Sequence, residues 1–429
     1  MKRVSEIVMT VCFLGILLAG LAATLAREPE VSSYWENRML ADLPEFSAQS
    51  VGDGSYTTQL EEYLSDHAAG RTTLLMSKAR VDLALGRPVV NDVVVTEHSL
   101  LPYLSYKTAD PAKIDTWAAA MADNLKHIND TVAEYGGYFC YVAVPCQSVS
   151  LAEDYPWYLD SQEQLNRRKA EALALAMDER GVPFLNVETA LSEAGGSAQY
   201  ASLVDNHYSM EGAFETYRLI MEKVSKEAGL EFPVLSADDL TLEPLPNSYM
   251  GSRERELLNM AQRDEQLSIL TPKNGIPYTR SDNGEPSPSF VYELPSSDAD
   301  EVTYNLYMGG DIAQTVIDTG RDELPSILIY GDSFTNPMEC IAYLSFDEMH
   351  SLDLRHYHEM SLGDYIRRFE PEVVVCIRDY DFLLDVEGNG AALPPAGVPG
   401  AMMREESRSQ AGGAHSKSDV CLIIGCAGR

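Results

Sequence analysis

An α/β fold with a mostly parallel sheet and helices on both faces is what this sequence predicts, and three observations point to it. Apolar runs such as Tyr138–Val144, Ser326–Tyr330 and Val373–Ile377 lack the alternation of a half-exposed strand, so they read as strands covered on both sides. Stretches with apolar residues at helical intervals lie between them, notably Ala112–Tyr135, Gln162–Arg180 and Ser209–Ala228. Strand and helix alternate, the pattern of a sheet closed by crossover helices.

Taken in order, Lys2 and Arg3 precede an uncharged run from Ile7 to Ala26. Twenty helical residues span about 30 Å, the thickness of a bilayer core, and the basic flank predicts a cytoplasmic N-terminus. Residues 1–28 therefore read as a membrane anchor. The competing reading is a secretory signal peptide cut near Thr24-Leu25-Ala26, and either one puts the main domain outside the cytoplasm. Residues 27–53 are irregular and polar; Tyr56–Leu85 reads as helix, and Val93–Val95 and Leu100–Leu104 as short strands. An Asp-Pro pair opens the helix over Ala112–Tyr135, Gly136-Gly137 ends it, and the strand Tyr138–Val144 stops at Pro145. After the helix Gln162–Arg180 comes a short strand Pro183–Val187, and the helix Ser209–Ala228 completes this half. The Pro-, Ser-, Asp- and Asn-rich residues 231–322 read as a long insertion of hairpins before the strand Ser326–Tyr330. A helix through Tyr343 and the strands His350–Leu354 and Val373–Ile377 close a domain spanning residues 29–390. The Gly-, Ala- and Ser-rich residues 391–429 predict a disordered tail.

Composition narrows the function classes. With 66 acidic against 32 basic residues the formal charge is −34, which repels nucleic acid and so excludes it as a partner. None of the seven cysteines has zinc-site spacing. His350, His356 and His358, with Asp347, Glu348, Asp353 and Glu359, form a cluster without helical i,i+4 histidine spacing. Neither a metal nor a cofactor is therefore expected.

Two constellations could carry chemistry. The strand Ser326–Tyr330 runs into Gly331-Asp332-Ser333-Phe334, which lifts Ser333 out of the carboxyl edge of the sheet, where open α/β folds bind ligands. Asp332 or Ser333 could instead simply cap the following helix. The second is Asp205-Asn206-His207-Tyr208-Ser209 before a helix. A serine nucleophile needs a base, and the base needs a carboxylate to hold its tautomer. Ser209 is the better helix cap, which leaves Asp205 free to serve His207.

Asp205-Asn-His-Tyr resembles the motif that names the DHHW family of surface-associated proteins, with Asn206 and Tyr208 in place of its second and fourth letters. Glu36-Asn-Arg-Met-Leu with Pro44, Glu62-Tyr-Leu-Ser-Asp-His67 with Arg71, Tyr304–Gly310, Gly331-Asp-Ser-Phe, Asp353-Leu-Arg355 and Pro371-Glu-Val-Val-Val are similar too. That family in turn is similar to the SGNH-hydrolase-like domains of the AlgX and AlgJ alginate O-acetylation proteins. The resemblance implies a flavodoxin-like sheet and a site of Ser333 as nucleophile, His207 as base and Asp205 as orienter. It also implies an arginine near the site, for which Arg355 is the match. Gln147 and Asn336 are candidate oxyanion donors beside the Ser333 N–H. The implied activity is O-acetyl transfer or acetyl-ester hydrolysis on a cell-surface or exported polysaccharide, with a membrane-bound acetyl-transfer partner. A non-catalytic binding or assembly protein on the same scaffold is the alternative.

Overall fold

The computed structural model describes residues 2–390 except 37, 105–109, 193, 194, 289 and 387. The expected tail over 391–429, with Cys421 and Cys426, lies outside the described residues. Two compact units result, one of residues 2–91 with 255–261 and one of 92–254 with 262–390.

The first unit begins with the helix Lys2–Leu25. Its segment Val4–Leu25 has a mean hydropathy of 2.4, none of it is buried, and it is long and apolar enough to cross a membrane. The expected helix over Tyr56–Leu85 is two helices, Ser55–Asp66 and Arg71–Ala84. The break falls at Gly70, whose φ of 76° is a left-handed conformation that glycine adopts without strain.

The second unit is built on an eight-stranded sheet: β1 (Tyr138–Val144), β2 (Phe184–Asn186), β3 (Thr279–Asp282), β4 (Glu285–Ser287), β5 (Gln314–Asp318), β6 (Ile327–Gly331), β7 (Glu348–Asp353) and β8 (Val373–Asp379). The spatial order is β4-β3-β5-β7-β6-β8-β1-β2. The five strands from β7 to β2 are parallel, and β5, β3 and β4 add to one edge antiparallel. The insertion is thus only partly a separate excursion. Its hairpin Leu240–Pro244 with Ser268–Pro272 stands apart from the sheet, but Thr279–Asp282, Glu285–Ser287 and Gln314–Asp318 extend it.

The strands are buried because both faces are covered. Pro111–Ala133 (α1), Glu163–Glu179 (α2) and Leu362–Phe369 share one apolar core with Tyr141, Leu328, Tyr330 and Val374. The opposite face carries Met210–Ala228 (α3) and Asn336–Ala342 (α4), which pack on each other. Asp110 caps α1 by accepting the Ala112 N–H, and Pro111 occupies its first turn, as the Asp-Pro pair implied.

The parallel strands, numbered along the chain, stand in the order 2-1-5-3-4. The flavodoxin-like order is 2-1-3-4-5, so the expectation needs correction: β8, last in the chain, wedges between β1 and β6. If numbering starts at β6, however, the same sheet reads 2-1-3-4-5. The parallel strands thus keep that spatial order but enter it from a different strand.

Candidate active site

Gly331 ends β6, and a Cβ there would sit 2.1 Å from the Ile377 carbonyl oxygen of β8. Only glycine allows that approach, which turns the chain sharply at the carboxyl edge. The cap question then resolves by atoms. Asp332 is the cap: its Oδ1 accepts the Phe334 N–H at 3.0 Å, and its carbonyl accepts the Thr335 N–H at 2.9 Å. Arg378 lies 3.4 Å from the Asp332 carboxylate. The Ser333 hydroxyl takes no part in capping.

The Ser333 Oγ instead lies 2.7 Å from His207 Nε2. His207 Nδ1 lies 2.5 Å from Asp205 Oδ1. The Asp205 carboxylate is 2% exposed and accepts two further hydrogen bonds, from the His207 N–H at 3.1 Å and the Ser252 N–H at 2.7 Å. Acceptance at both Nδ1 and the backbone makes Nδ1 the protonated nitrogen and leaves Nε2 with a lone pair toward the serine. Burial alone would push the Asp205 carboxyl up. The interaction with His207, including its hydrogen bond, and the two backbone N–H groups more than reverse this, holding it below the usual carboxylate range.

The loop bearing this pair is fixed from three sides. Ser209 accepts the Gly212 N–H and caps α3. Gly251 lets the Ser252 N–H reach Asp205, since a Cβ at 251 would meet the Val204 carbonyl oxygen at 2.3 Å. Glu265 accepts from the Ser202 hydroxyl and from the N–H groups of Leu203 and Val204 at 3.0, 2.9 and 3.1 Å. Burial pushes the Glu265 carboxyl up to about 7 against those hydrogen bonds.

Aromatic rings enclose the imidazole. Tyr304 stacks on it, with centroids 3.6 Å apart and planes 7° from parallel, and donates its hydroxyl to the Ser333 carbonyl at 3.0 Å. Phe334 leans against it at 4.9 Å, and the Tyr208 hydroxyl donates to the Phe334 carbonyl. A pocket bordered by Pro145, Tyr200, His207 and Thr216 opens on the same ring. Sequence reasoning placed Tyr304 in a family-like segment but gave it no role at the site, and no spacing signal could have shown the stacking.

The other candidate residues fare differently. Gln147 is no free donor: both its amide hydrogens go to backbone carbonyls, of Leu100 at 3.1 Å and Ser202 at 3.0 Å. It braces the 202–207 loop instead. Arg355 follows β7, whose Asp353 pairs with Gly331, so it belongs to the same sheet edge. Its guanidinium is held by Asp353 at 2.6 Å and Asp311 at 2.9 Å, and Asn336 Nδ2 donates to the same Asp311 at 3.1 Å. The Asn336 backbone N–H donates to the Ser333 carbonyl, but among the described residues neither the Arg355 nor the Asn336 side chain bonds the Ser333 hydroxyl or His207. Asp311, Asp353 and His356 converge closely, with the Arg355 guanidinium as counter-charge. His350 is separate, bonded to Tyr365 at 2.5 Å and Glu348 at 2.9 Å.

No protein-family model and no curated protein sequence matches the chain. Solved structures do. Bacillus cereus PatB1, solved with a sulfonyl adduct, is 19% identical with a TM-score of 0.57, covering 70% of this chain and 97% of that one. A DHHW family protein from Eubacterium siraeum is 18% identical with a TM-score of 0.54, covering 71% and 95%. The chain has the fold of these proteins. The O-acetyltransferase domain of Pseudomonas putida AlgJ is a more distant neighbour, at 14% identity and a TM-score of 0.43 over 74% of this chain and 99% of that one.

Proposed function

We propose that this chain is an extracytoplasmic SGNH-type acyl-ester enzyme, an O-acetyltransferase or acetylesterase acting on a cell-surface or exported polysaccharide. The observation that carries the reading is the unbroken chain of hydrogen bonds from Ser333 through His207 to Asp205. Ser333 attacks an acetyl ester, and His207 Nε2 takes its proton. Asp205 holds the ring tautomer and stabilises the imidazolium that forms. The acyl-serine then passes its acetyl group to a sugar hydroxyl or to water.

The oxyanion falls to the Ser333 N–H, because Phe334 and Thr335 spend theirs on Asp332. The Tyr304 ring face favours the charged imidazole over the neutral one, which assists the proton transfer. For the transferase, a membrane-bound partner supplies the acetyl donor. The apolar helix Val4–Leu25 serves either as an anchor that keeps the protein at the membrane or as a signal sequence that is cut off after export. The motif resemblance supports acetyl chemistry and a carbohydrate substrate.

Phenylmethylsulfonyl fluoride followed by peptide mass mapping tests the reading. Ser333 should be labelled in the wild type and unlabelled in His207→Ala, because a serine hydroxyl without a base is a poor nucleophile. Equal labelling of both folded proteins would return the chain to the binding or assembly class. A topology reporter fused after Asp53 should be active only outside the cytoplasm.

A further inference from the structure

We infer that Asn206, which sits where the family motif has another letter, donates its side-chain amide to the ester oxygen that leaves and to the acceptor oxygen that enters. The inference rests on the Ser333-His207-Asp205 reading and adds a group in contact with substrate.

Three contacts set the amide. Asn206 Oδ1 accepts the Ser252 hydroxyl at 3.0 Å, and the Ser252 Oγ accepts the Asn206 backbone N–H at 3.2 Å. The third is Asn206 Nδ2, 3.3 Å from His207 Nε2. The opposite flip would aim the amide oxygen at the Nε2 lone pair, which repels it, so the NH₂ faces the base. The long separation and the better-placed Ser333 hydroxyl at 2.7 Å make this a weak bond to the imidazole. The amide is a donor held ready beside the atom that handles the proton.

During acylation the Ser333 Oγ forms its bond to the carbonyl carbon while its proton moves to Nε2. When the carbon–oxygen ester bond breaks, the electron pair stays on the leaving oxygen, and the Nε2 proton passes to it. That oxygen must lie within hydrogen-bond reach of Nε2, and Asn206 Nδ2 is the neighbouring donor on that side. In the second half-reaction a sugar hydroxyl or water retraces the path: its oxygen bonds the acyl carbon, and its proton returns through Nε2 to Ser333. The amide supports negative charge on the leaving or entering oxygen. The Ser333 N–H serves the carbonyl oxygen.

This division has a kinetic signature. A 4-nitrophenolate leaves without needing a proton or a donor, whereas an alkoxide needs both. With folding checked by circular dichroism, kcat/KM, which reports acylation, should be measured for ethyl acetate and 4-nitrophenyl acetate. Asn206→Ala should lose about 100-fold on the alkyl ester, the scale of one lost transition-state donor, and about tenfold less on the aryl ester. Ser252→Ala frees the amide and should shift the same ratio in the same direction by a smaller factor. Equal losses on both esters would overturn the inference, as expected of a carbonyl-oxygen donor or a folding role. So would the absence of any loss. A wild type that turns over neither ester and is not labelled at Ser333 overturns the triad reading itself; labelling with an unchanged ester ratio overturns only the role of Asn206.

Discussion

The ion pairs around Arg38 and the hydrogen-bonded chain ending at Ser333 are both built from family-like segments, yet they terminate differently. In the first unit Arg38 bonds Asp66 through both of its terminal nitrogens, Arg71 meets Glu36 at 2.6 Å, and the Asp66 carboxylate also accepts the Ala41 N–H at 3.0 Å. His67 closes the set with a contact from Nε2 to the Ala41 carbonyl at 2.9 Å. Burial pushes the Asp66 carboxyl up, but the Arg38 hydrogen bond, the Ala41 N–H and the charges of both arginines bring it to about 2. Each charge there ends on an opposite charge. In the second unit Asp205 has no cationic partner but an imidazole, and the imidazole ends on a neutral hydroxyl. A paired network has nothing left to give, while a chain that ends on a hydroxyl can move a proton. Family-like residues can therefore close a network of opposite charges in one place and leave it open at a hydroxyl in another.

The sharpest way to break that contrast is a pair of isosteric changes. Asp205→Asn should lower ester turnover or sulfonyl labelling by about 10⁴ through the wrong tautomer, with the protein still folded by circular dichroism. Asp66→Asn should do the reverse. Loss of one partner of a half-buried ion pair costs about 1–3 kcal/mol in urea unfolding, with labelling per folded molecule unchanged. If Asp66→Asn silenced the site as Asp205→Asn does, the contrast would collapse.

A smaller effect is expected at Tyr304. Tyr304→Leu removes the ring stacked on His207 and should cut kcat/KM about tenfold, matching a cation–π contribution of 1–2 kcal/mol. Tyr304→Phe, which keeps the ring face, should retain most of the activity. Equal losses would assign the effect to the hydroxyl on the Ser333 carbonyl.

A separate set of effects is in pH. Asp66 and Asp205 have folded-state values below their unfolded ones. Their contribution to stability is present above about pH 4 and is lost as pH falls below it. Glu265 is opposite: its carboxyl, raised to about 7, binds its proton more tightly in the folded state, so stability declines as pH rises from about 4.5 to 7. Comparing wild type with Glu265→Gln by thermal melts across pH 5–8 should reveal that decline in the wild type alone. A parallel pH dependence in both would assign it elsewhere.

The parts legible in the sequence were those governed by local patterns. The strand Tyr138–Val144 needed only an unbroken apolar run, and Ser333 needed only a strand stopped by glycine before a cap. Asp205 and His207 stand on one short loop, so two letters suffice to pair them. Hidden were the features set by distant pairing. Thr279–Asp282 and Gln314–Asp318 are polar, partly exposed strands toward one side of the sheet, and the pairings that join them to it reach partners 30 residues or more away in the chain. Gln147 looks like a donor at a strand end until the carbonyls of Leu100 and Ser202 take both its hydrogens. Arg355 and Asn336 were found at the right edge, but no spacing could reveal that Asp311 binds them both.

Strand β8 carries a consequence for how the protein is made. It is the last strand of the sheet in the chain, yet it pairs with β6 on one side and β1 on the other. Until Val373–Asp379 emerges from the ribosome, the nascent chain holds two half-sheets, each with an open, apolar, all-parallel edge. Such edges invite pairing with other chains. A chain stopped after Glu372 should be recovered as aggregate rather than as a shortened soluble domain, since the missing strand is the keystone of the sheet and not its border.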